Sequence, residues 1–395
     1  MQLSFKDLQY VIGGPEIVEN MKSLKVLRPF EDCVIDFLND LSVELRKNRE
    51  YSDVATFGFW CRKAALLKEK QKYDDVDERF GKGVVFHSTP SNVPVNFAFS
   101  FAAGLLAGNA NIVRLPGKKF AQVDIISDAV RKLVEGKHKN LAPYIVFIKF
   151  PPVKEISDAF SALCNVRVIW GGDMMIAEFR QSGIPARTTE ITFADRHSIA
   201  VIDGDAYLKE SNKDKVIQDF YNDTYFSDQN ACTSPRIIFW QGGRKQEAKE
   251  DFWKRVHDLV KSKYTLAAVQ AVGKLNAMYS VATQKRVKLQ KSDDMFITRL
   301  DIDRIDKDLM NYKYNSGFYF EKDIEKLTDI VNVCDIKCQT ITYFGVKEED
   351  FREFLETARP IGIDRIVPMG KSMDFTLIWD GYDLIRQMSR RVTII

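Results

Sequence analysis

Apolar positions along the chain follow two rhythms. From residue 1 to about residue 80 they recur at helical spacing among many charges: Phe37, Leu41 and Leu45 in one stretch, Phe57, Cys61, Ala65 and Leu66 in the next. That spacing predicts amphipathic helices with solvated outer faces. Short apolar runs then take over. Residues 83–87, 110–115, 144–150, 166–170 and 198–202 read as buried strands, with helical segments over about 94–106, 120–135, 154–163 and 173–181 between them. The first of these helices is made of small and aromatic residues, so most of its faces are buried, and Gly108 stops it. Strands that alternate with helices pair in parallel through right-handed crossovers. The fold class is therefore α/β: a doubly wound, Rossmann-type sheet covered on both faces, with further α/β structure beyond it.

This pattern divides the chain into a helical segment over 1–80 packed on the next domain, a dinucleotide-binding domain over 81–204, a catalytic α/β domain over 205–370 and a tail over 371–395. In the third part, residues 237–240 read as a buried strand, and 244–261 as a helix with Phe252, Val256, Leu259 and Val260 turned inward. The tail has a strand-like run over 375–379 and ends in β-branched residues over 392–395. Such an edge seeks a partner strand, in another subunit or in the first domain, and a homo-oligomer is expected.

Composition narrows the function classes. With 395 residues, 45% of them hydrophobic, the chain can bury a large core. A formal net charge of +3 gives no global pull on nucleic acid or acidic membranes. Six cysteines at irregular spacing form no disulfide framework and suggest a reducing, cytoplasmic setting. The start of the chain lacks a signal-peptide layout. The most apolar stretch is too short to span a bilayer. The four histidines are scattered, and Cys334 and Cys338 have no second ligand pair nearby, so no metal is expected.

The strongest chemical candidate is Cys232, between a polar segment and the apolar run Ile237-Ile238-Phe239-Trp240. A thiol at such a junction, near backbone N–H groups, can act as a nucleophile, and it also fits a buried structural cysteine. Gly171 and Gly172 follow a strand and open a helix, where a phosphate can sit or a plain turn can form. Arg114 and Lys118, with Lys119, lie where a strand of the parallel sheet ends, the edge at which such sheets bind ligands. Asn92 can donate to an oxyanion or cap a helix. Gly370-Lys371-Ser372 mimics the end of a phosphate loop, but Arg365 stands where the required upstream glycine would be.

Taken together, these stretches resemble the aldehyde dehydrogenase superfamily, most closely its fatty aldehyde-forming acyl-CoA reductase branch, the LuxC-type family. The likeness rests on Phe86-His87-Ser88-Thr89-Pro90-Ser91-Asn92, on Gly108-Asn109-Ala110-Asn111 through Pro116, and on Trp170-Gly171-Gly172-Asp173. It continues in Asp228-Gln229-Asn230-Ala231-Cys232-Thr233-Ser234-Pro235 and in the stretch from Asp364 to Gly381. The resemblance implies an aldehyde dehydrogenase-like fold with Cys232 as nucleophile. It further implies that the Asn92 amide and the Cys232 N–H stabilise the oxyanion, that ribose binds near Arg114, and that pyrophosphate lies beside Gly171 and Gly172. Many aldehyde oxidisers carry glutamate where this chain has Lys118, and that exchange implies NADPH. Those enzymes also place a base in a Gly-rich stretch ahead of the nucleophile. Here Glu190 is about two residues off register and the glycines are missing.

The implied activity is therefore NADPH-dependent reduction of an acyl thioester, acyl-CoA or another donor, to the aldehyde. An acyl-transferring partner protein is a further expectation. Two alternatives stay open: an oxidative aldehyde dehydrogenase using Glu190, and a non-redox acyl-carrying subunit.

Overall fold

The computed structural model describes residues 5–90 and 93–395. They divide into two compact units: the first ends at Ala194 and takes back Phe375–Ile395, and the second is Asp195–Asp374.

The strands of the first unit are β1 (Gln9–Ile12), β2 (Arg79–Gly81), β3 (Val84–Ser88), β4 (Ala110–Arg114), β5 (Ile145–Lys149), β6 (Val166–Trp170) and β7 (Thr189–Phe193). All except β2 form one sheet in the order β1-β5-β4-β3-β6-β7, parallel apart from β1, which runs antiparallel to β5. Neighbouring residues of β3 enter different cores: Val84 and Phe86 pack on one face, Val85 on the other. Burial on both faces is why these runs are continuously apolar rather than alternating. Strand order reverses at β3, with β4 and β5 on one side and β6 and β7 on the other. The carboxyl ends of β3 and β6 thus flank a topological switch point.

Backbone closeness sets the residues under that point. The helix Asn96–Leu106 carries no charge and is almost wholly buried. At Gly104 a Cβ would stand 2.1 Å from the Asn111 amide oxygen and 2.9 Å from His87 Nε2, so only glycine lets the helix approach the sheet. Gly108 has φ +88, and its Cβ position lies 2.3 Å from the Leu27 carbonyl. Both the handedness and the space end the helix there.

The N-terminal region is more than a helical layer. Helices Asp32–Leu45, Ser52–Trp60 and Lys63–Lys70 form as the spacing predicts, but Arg62 turns extended and breaks the stretch from Phe57 to Leu66 into two. The strand β1 joins the edge of the sheet. In the tail, Ser389–Arg391, ahead of the β-branched end, pairs antiparallel with β2 of the same unit. Of the run 375–379 only Ile378–Trp379 forms a strand, paired with Tyr382–Asp383.

The second unit contains β8 (His197–Asp203), β9 (Pro235–Gln241), β10 (Val287–Leu289), β11 (Thr298–Ile302), β12 (Phe318–Asp323), β13 (Cys338–Phe344) and β14 (Arg365–Pro368). They form a second sheet, β10-β11-β12-β9-β8-β13-β14, parallel except for β10. The strand assigned from sequence to the end of the first domain, 198–202, is β8 and lies between β9 and β13 of this sheet. The division therefore falls after Ala194 rather than after residue 204, and the C-terminal residues from Phe375 belong with the first unit. Cross-strand pairing, invisible in a local window, decides both boundaries.

No helix among the described residues is long and apolar enough to cross a membrane.

Candidate active site

In the first unit the sequence-predicted residues gather at the carboxyl edge of the sheet. Gly171 and Gly172 leave β6, and Arg114 ends β4 with Lys118 and Lys119 exposed just beyond. Thr89, at the end of β3, donates its hydroxyl to the Arg114 carbonyl at 2.6 Å and ties the two loops together. The Arg114 guanidinium lies over the Phe150 ring at 4.6 Å and donates to the Phe150 carbonyl at 3.3 Å. It is turned toward the end of β5, so Lys118 and Lys119 are the exposed cations just beyond β4. Gly172 is exposed, with nothing within 4 Å of where a Cβ would stand, and at Gly171 a Cβ would stand 2.1 Å from the end of the Met175 side chain. The β6 loop thus leaves an open cradle at the switch point. Asn92 lies outside the described residues.

Beneath the cradle, His87 on β3 is fully buried between the Ser100 hydroxyl (2.8 Å) and the Asn111 amide oxygen (3.0 Å), and the Trp170 indole donates to Ser100 at 3.0 Å. Burial pushes the imidazole down to about 4, the Asn111 hydrogen bond only partly opposing it. His87 is thus neutral and structural, a support for two strand ends. A recess of about 260 Å³ lies at the opposite, amino edge of the same sheet, with Lys22, Lys25, Lys82 and Asn165 in its wall. None of the predicted residues lines it.

Glu190, the candidate base, sits on β7 and is already committed. Its carboxylate accepts from Arg167, which is 2% exposed, and from Arg180 at 2.8 Å. Burial raises its pKa, but the hydrogen bonds and charges of Arg180 and Arg167 win and hold it below the ordinary carboxylate value.

Cys232 lies in the second unit, half-buried in the turn that enters β9. The turn is anchored piece by piece. Asp228 and Gln229 both have φ near +52, a left-handed conformation uncommon outside glycine. What holds them there is Gln229, fully buried: its amide donates to the Pro235 carbonyl at 3.2 Å and accepts from the Gly317 and Phe318 N–H groups at 2.7 and 3.2 Å. Asp228 accepts from the Tyr264 hydroxyl and, at 3.0 Å, from Gln270. Ser198, at the start of β8, donates to the Cys232 carbonyl at 2.7 Å and fixes the peptide plane beside the thiol. Asn230 is met by Asn315 at 2.7 Å, and Arg236, the second residue of β9, donates to the Gln229 carbonyl. The half-buried thiol thus sits on a constrained stretch of backbone.

Sequence reasoning missed this shell: Gln229, Ser198, Asn315 and Arg236. The one available signal was Arg236 itself, a charge at the head of an otherwise apolar strand. Lys274 also escaped notice. It is buried in the helix Ala268–Gln284, donates to the carbonyls of Met295, Phe296 and Ser316, and is pushed by burial down to about 7. The phosphate-loop mimic has another use: the Gly370 and Ser372 N–H groups donate to the buried Asp223 carboxylate at 2.6 and 3.0 Å. Phe97, Phe101 and Tyr225 are core residues; Phe99 is half-buried and Phe226 is exposed. Among the described residues no group of three or more His, Cys, Asp or Glu is placed to hold a metal ion.

The two mostly parallel sheets form an aldehyde dehydrogenase-like fold. Solved members confirm it. The structure is similar to lactaldehyde dehydrogenase from Escherichia coli, with a TM-score of 0.64 at 11% identity, covering 96% of this chain and 88% of that one. It is also similar to the 1-pyrroline-5-carboxylate dehydrogenase from Thermus solved with bound NAD, with a TM-score of 0.59 at 13% identity over 95% and 84%. Within this class the family follows from sequence. Residues 62–303 match the model of the acyl-CoA reductase (LuxC) family, and the chain belongs to that family. The long-chain acyl-protein thioester reductase of Vibrio harveyi is a relative, 22% identical over 335 residues, or 80% of this chain. This chain spans 64% of that relative's length.

Proposed function

We propose that the protein reduces an acyl thioester to the aldehyde with NADPH, through a thioester on Cys232. The observation that carries this reading is Glu190. A carboxylate held by two guanidiniums is a poor base for activating water, so an acyl-enzyme would escape hydrolysis and stay available for reduction. The same fact speaks against the oxidative alternative.

The cofactor fit rests on the cradle. The open space at Gly172 and the small residue at Gly171 suit a pyrophosphate, and exposed Lys118 suits a 2′-phosphate better than a free ribose hydroxyl. When bound, NADPH supplies the hydride that takes the acyl group to the aldehyde level. The chain's own residues do the rest. The Cys232 thiolate attacks the thioester carbonyl, a new C–S bond forms, and the bond to the donor thiol breaks as that thiol leaves and takes up a proton. The Cys232 N–H and, as the resemblance implies, the Asn92 amide donate to the carbonyl oxygen as it gains charge. After reduction the sulfur leaves as thiolate and frees the aldehyde.

The donor is acyl-CoA or an acylated protein, the latter suggested by the name of the Vibrio relative. The test is NADPH oxidation against acyl-CoAs of increasing length and against an acylated protein, with the product identified. Aldehyde from either donor supports the reading. Acid from aldehyde with NADP⁺ would replace it with the oxidative one. Acylation of Cys232 without NADPH binding would leave only an acyl-carrying role.

A further inference from the structure

The recess at the amino edge of the first sheet takes no part in the chemistry above, and positive charge collects in its wall. Lys22, Lys25 and Lys82 line it, with Tyr144 and Asn165, and no acidic residue does. Among the described residues none of the three lysines forms an ion pair, and Lys22 and Lys25 form no side-chain hydrogen bond. The Lys82 ammonium donates only to neutral oxygens, the Thr189 hydroxyl at 2.5 Å and the Gln387 carbonyl at 2.7 Å. Burial and the charge of Arg79 lower its pKa, as expected of a cation short of a counter-charge. Acids close by in sequence are already spent: Asp74 on Arg386, Asp75 on Arg79 and Arg386, and Glu78 on Arg391. Three like charges around one hollow repel one another, and an anion between them removes that repulsion.

The backbone around the recess is fixed. Tyr144 donates its hydroxyl to the Lys25 carbonyl at 2.7 Å, and the Leu27 N–H donates to the Gly108 carbonyl at 3.0 Å. The segment carrying Lys22 and Lys25 is thereby fastened to the stretches that lead into β4 and β5. The Lys82 and Gly83 N–H groups both donate to Asn109 Oδ1, at 2.7 and 3.0 Å, which sets the corner before β3. Gly83 has φ +133, and a Cβ there would stand 2.2 Å from Asn165 Oδ1. Only glycine leaves room for that oxygen to accept from the Val84 N–H at 2.9 Å. With its oxygen so placed, the Asn165 amide nitrogen points elsewhere, and among the described residues it donates to nothing. Unpaired ammoniums beside a free amide donor suit a phosphate. At about 260 Å³ the hollow exceeds what a bare phosphate fills and approaches the lower bound, about 300 Å³, of small-molecule sites. We propose that this recess binds the phosphate group of a small phosphorylated molecule, with Lys22, Lys25 and Asn165 as donors and Lys82 adding charge. The cofactor cradle lies at the other edge, about 15 Å away along five-residue strands, so the two sites are distinct.

The test is isothermal titration of the full chain with ribose 5-phosphate at low salt. Saturable binding at one site per chain, with a Kd below about 1 mM, is expected, while ribose gives none. Inorganic phosphate binds at least about tenfold more weakly, because it leaves the rest of the hollow unfilled. Equal binding by inorganic phosphate would overturn the assignment of an ester as ligand. The double variant Lys22→Met/Lys25→Met removes two exposed, unpaired charges, and circular dichroism checks its fold. It weakens binding about 10²-fold, roughly tenfold for the charged hydrogen bond of each lysine. Asn165→Asp keeps the oxygen that accepts from Val84 but puts a carboxylate in the wall, and weakens binding at least about tenfold. Lys118→Met, at the cradle, leaves it within about twofold. No saturable binding, equal binding of ribose, or binding that survives the double lysine variant overturns the proposal. So does loss of binding in Lys118→Met, which would place the signal at the cofactor edge. None of these readouts involves Cys232 or aldehyde formation, so this site and the proposed reaction stand or fall separately.

Discussion

The two units share a design, a mostly parallel sheet buried on both faces, yet they carry their chemistry at opposite ends of it. In the first, the cradle lies where β3, β4 and β6 end. In the second, Cys232 lies where β9 begins. A chain leaving a parallel strand turns into a helix, so its N–H groups are exposed and small residues suffice to make room for a ligand. A chain arriving at a strand has no such helix. Its turn is held by side chains instead, which is why Gln229, Ser198, Asn315 and Arg236 fasten the turn of Cys232 while the space at Gly172 stands open. The first unit makes a site by leaving space, the second by removing freedom.

The comparison breaks most visibly at the thiol. Cys232→Ser is expected to lower aldehyde formation from acyl thioester by at least about 10³-fold, because a hydroxyl at neutral pH lacks the thiolate's nucleophilicity. NADPH binding, measured by fluorescence titration, stays within about twofold if the cofactor belongs to the first unit. Loss of both would show that the division of labour is wrong.

Next in size is Glu190→Gln. Removing this carboxylate strands the buried Arg167, and stability measured by urea unfolding should fall by about 3 kcal/mol. The folded fraction should still form aldehyde within about threefold of the native rate, since Glu190 takes no part in the chemistry. A large loss in kcat with unchanged stability would return Glu190 to the role of base.

Two of the buried histidines give a pH test of nearly the same size. His87 in the first unit and His197 in the second are both lowered from 6.5 to about 4, with burial the leading cause in each. Between those values the unfolded chain binds a proton that the native imidazole refuses, so stability present above pH 6.5 is lost as pH falls toward 4. Each site contributes about 3 kcal/mol to that loss. His87→Gln should flatten the pH dependence of urea unfolding for the first unit and leave the second unit's slope intact. Equal slopes in variant and native protein would contradict the buried neutral imidazole.

The smallest effect is the one aimed at cofactor choice. Lys118→Glu should raise the KM for NADPH about tenfold relative to that for NADH. An unchanged ratio would move the 2′-phosphate contact elsewhere on the edge.

Much of this was legible in the linear chain. The continuous apolar runs 84–86 and 237–240 fixed buried parallel strands, because a strand covered on both faces has no solvent side on which to place polar residues. Gly108 announced the end of a helix, and the residues around Cys232 made it the candidate nucleophile. The chain alone did not show that strand 197–203 joins the second sheet, that the tail returns to pair with residues 79–81, or that Glu190 is spent on two arginines. These are matters of pairing between residues far apart in sequence, and hydrogen-bond register and buried charge acquire their partners only when the chain is closed in three dimensions. Local pattern determined the elements and the candidate thiol. Tertiary structure decided which neighbours restrain the turn that carries it and which buried charges are paired.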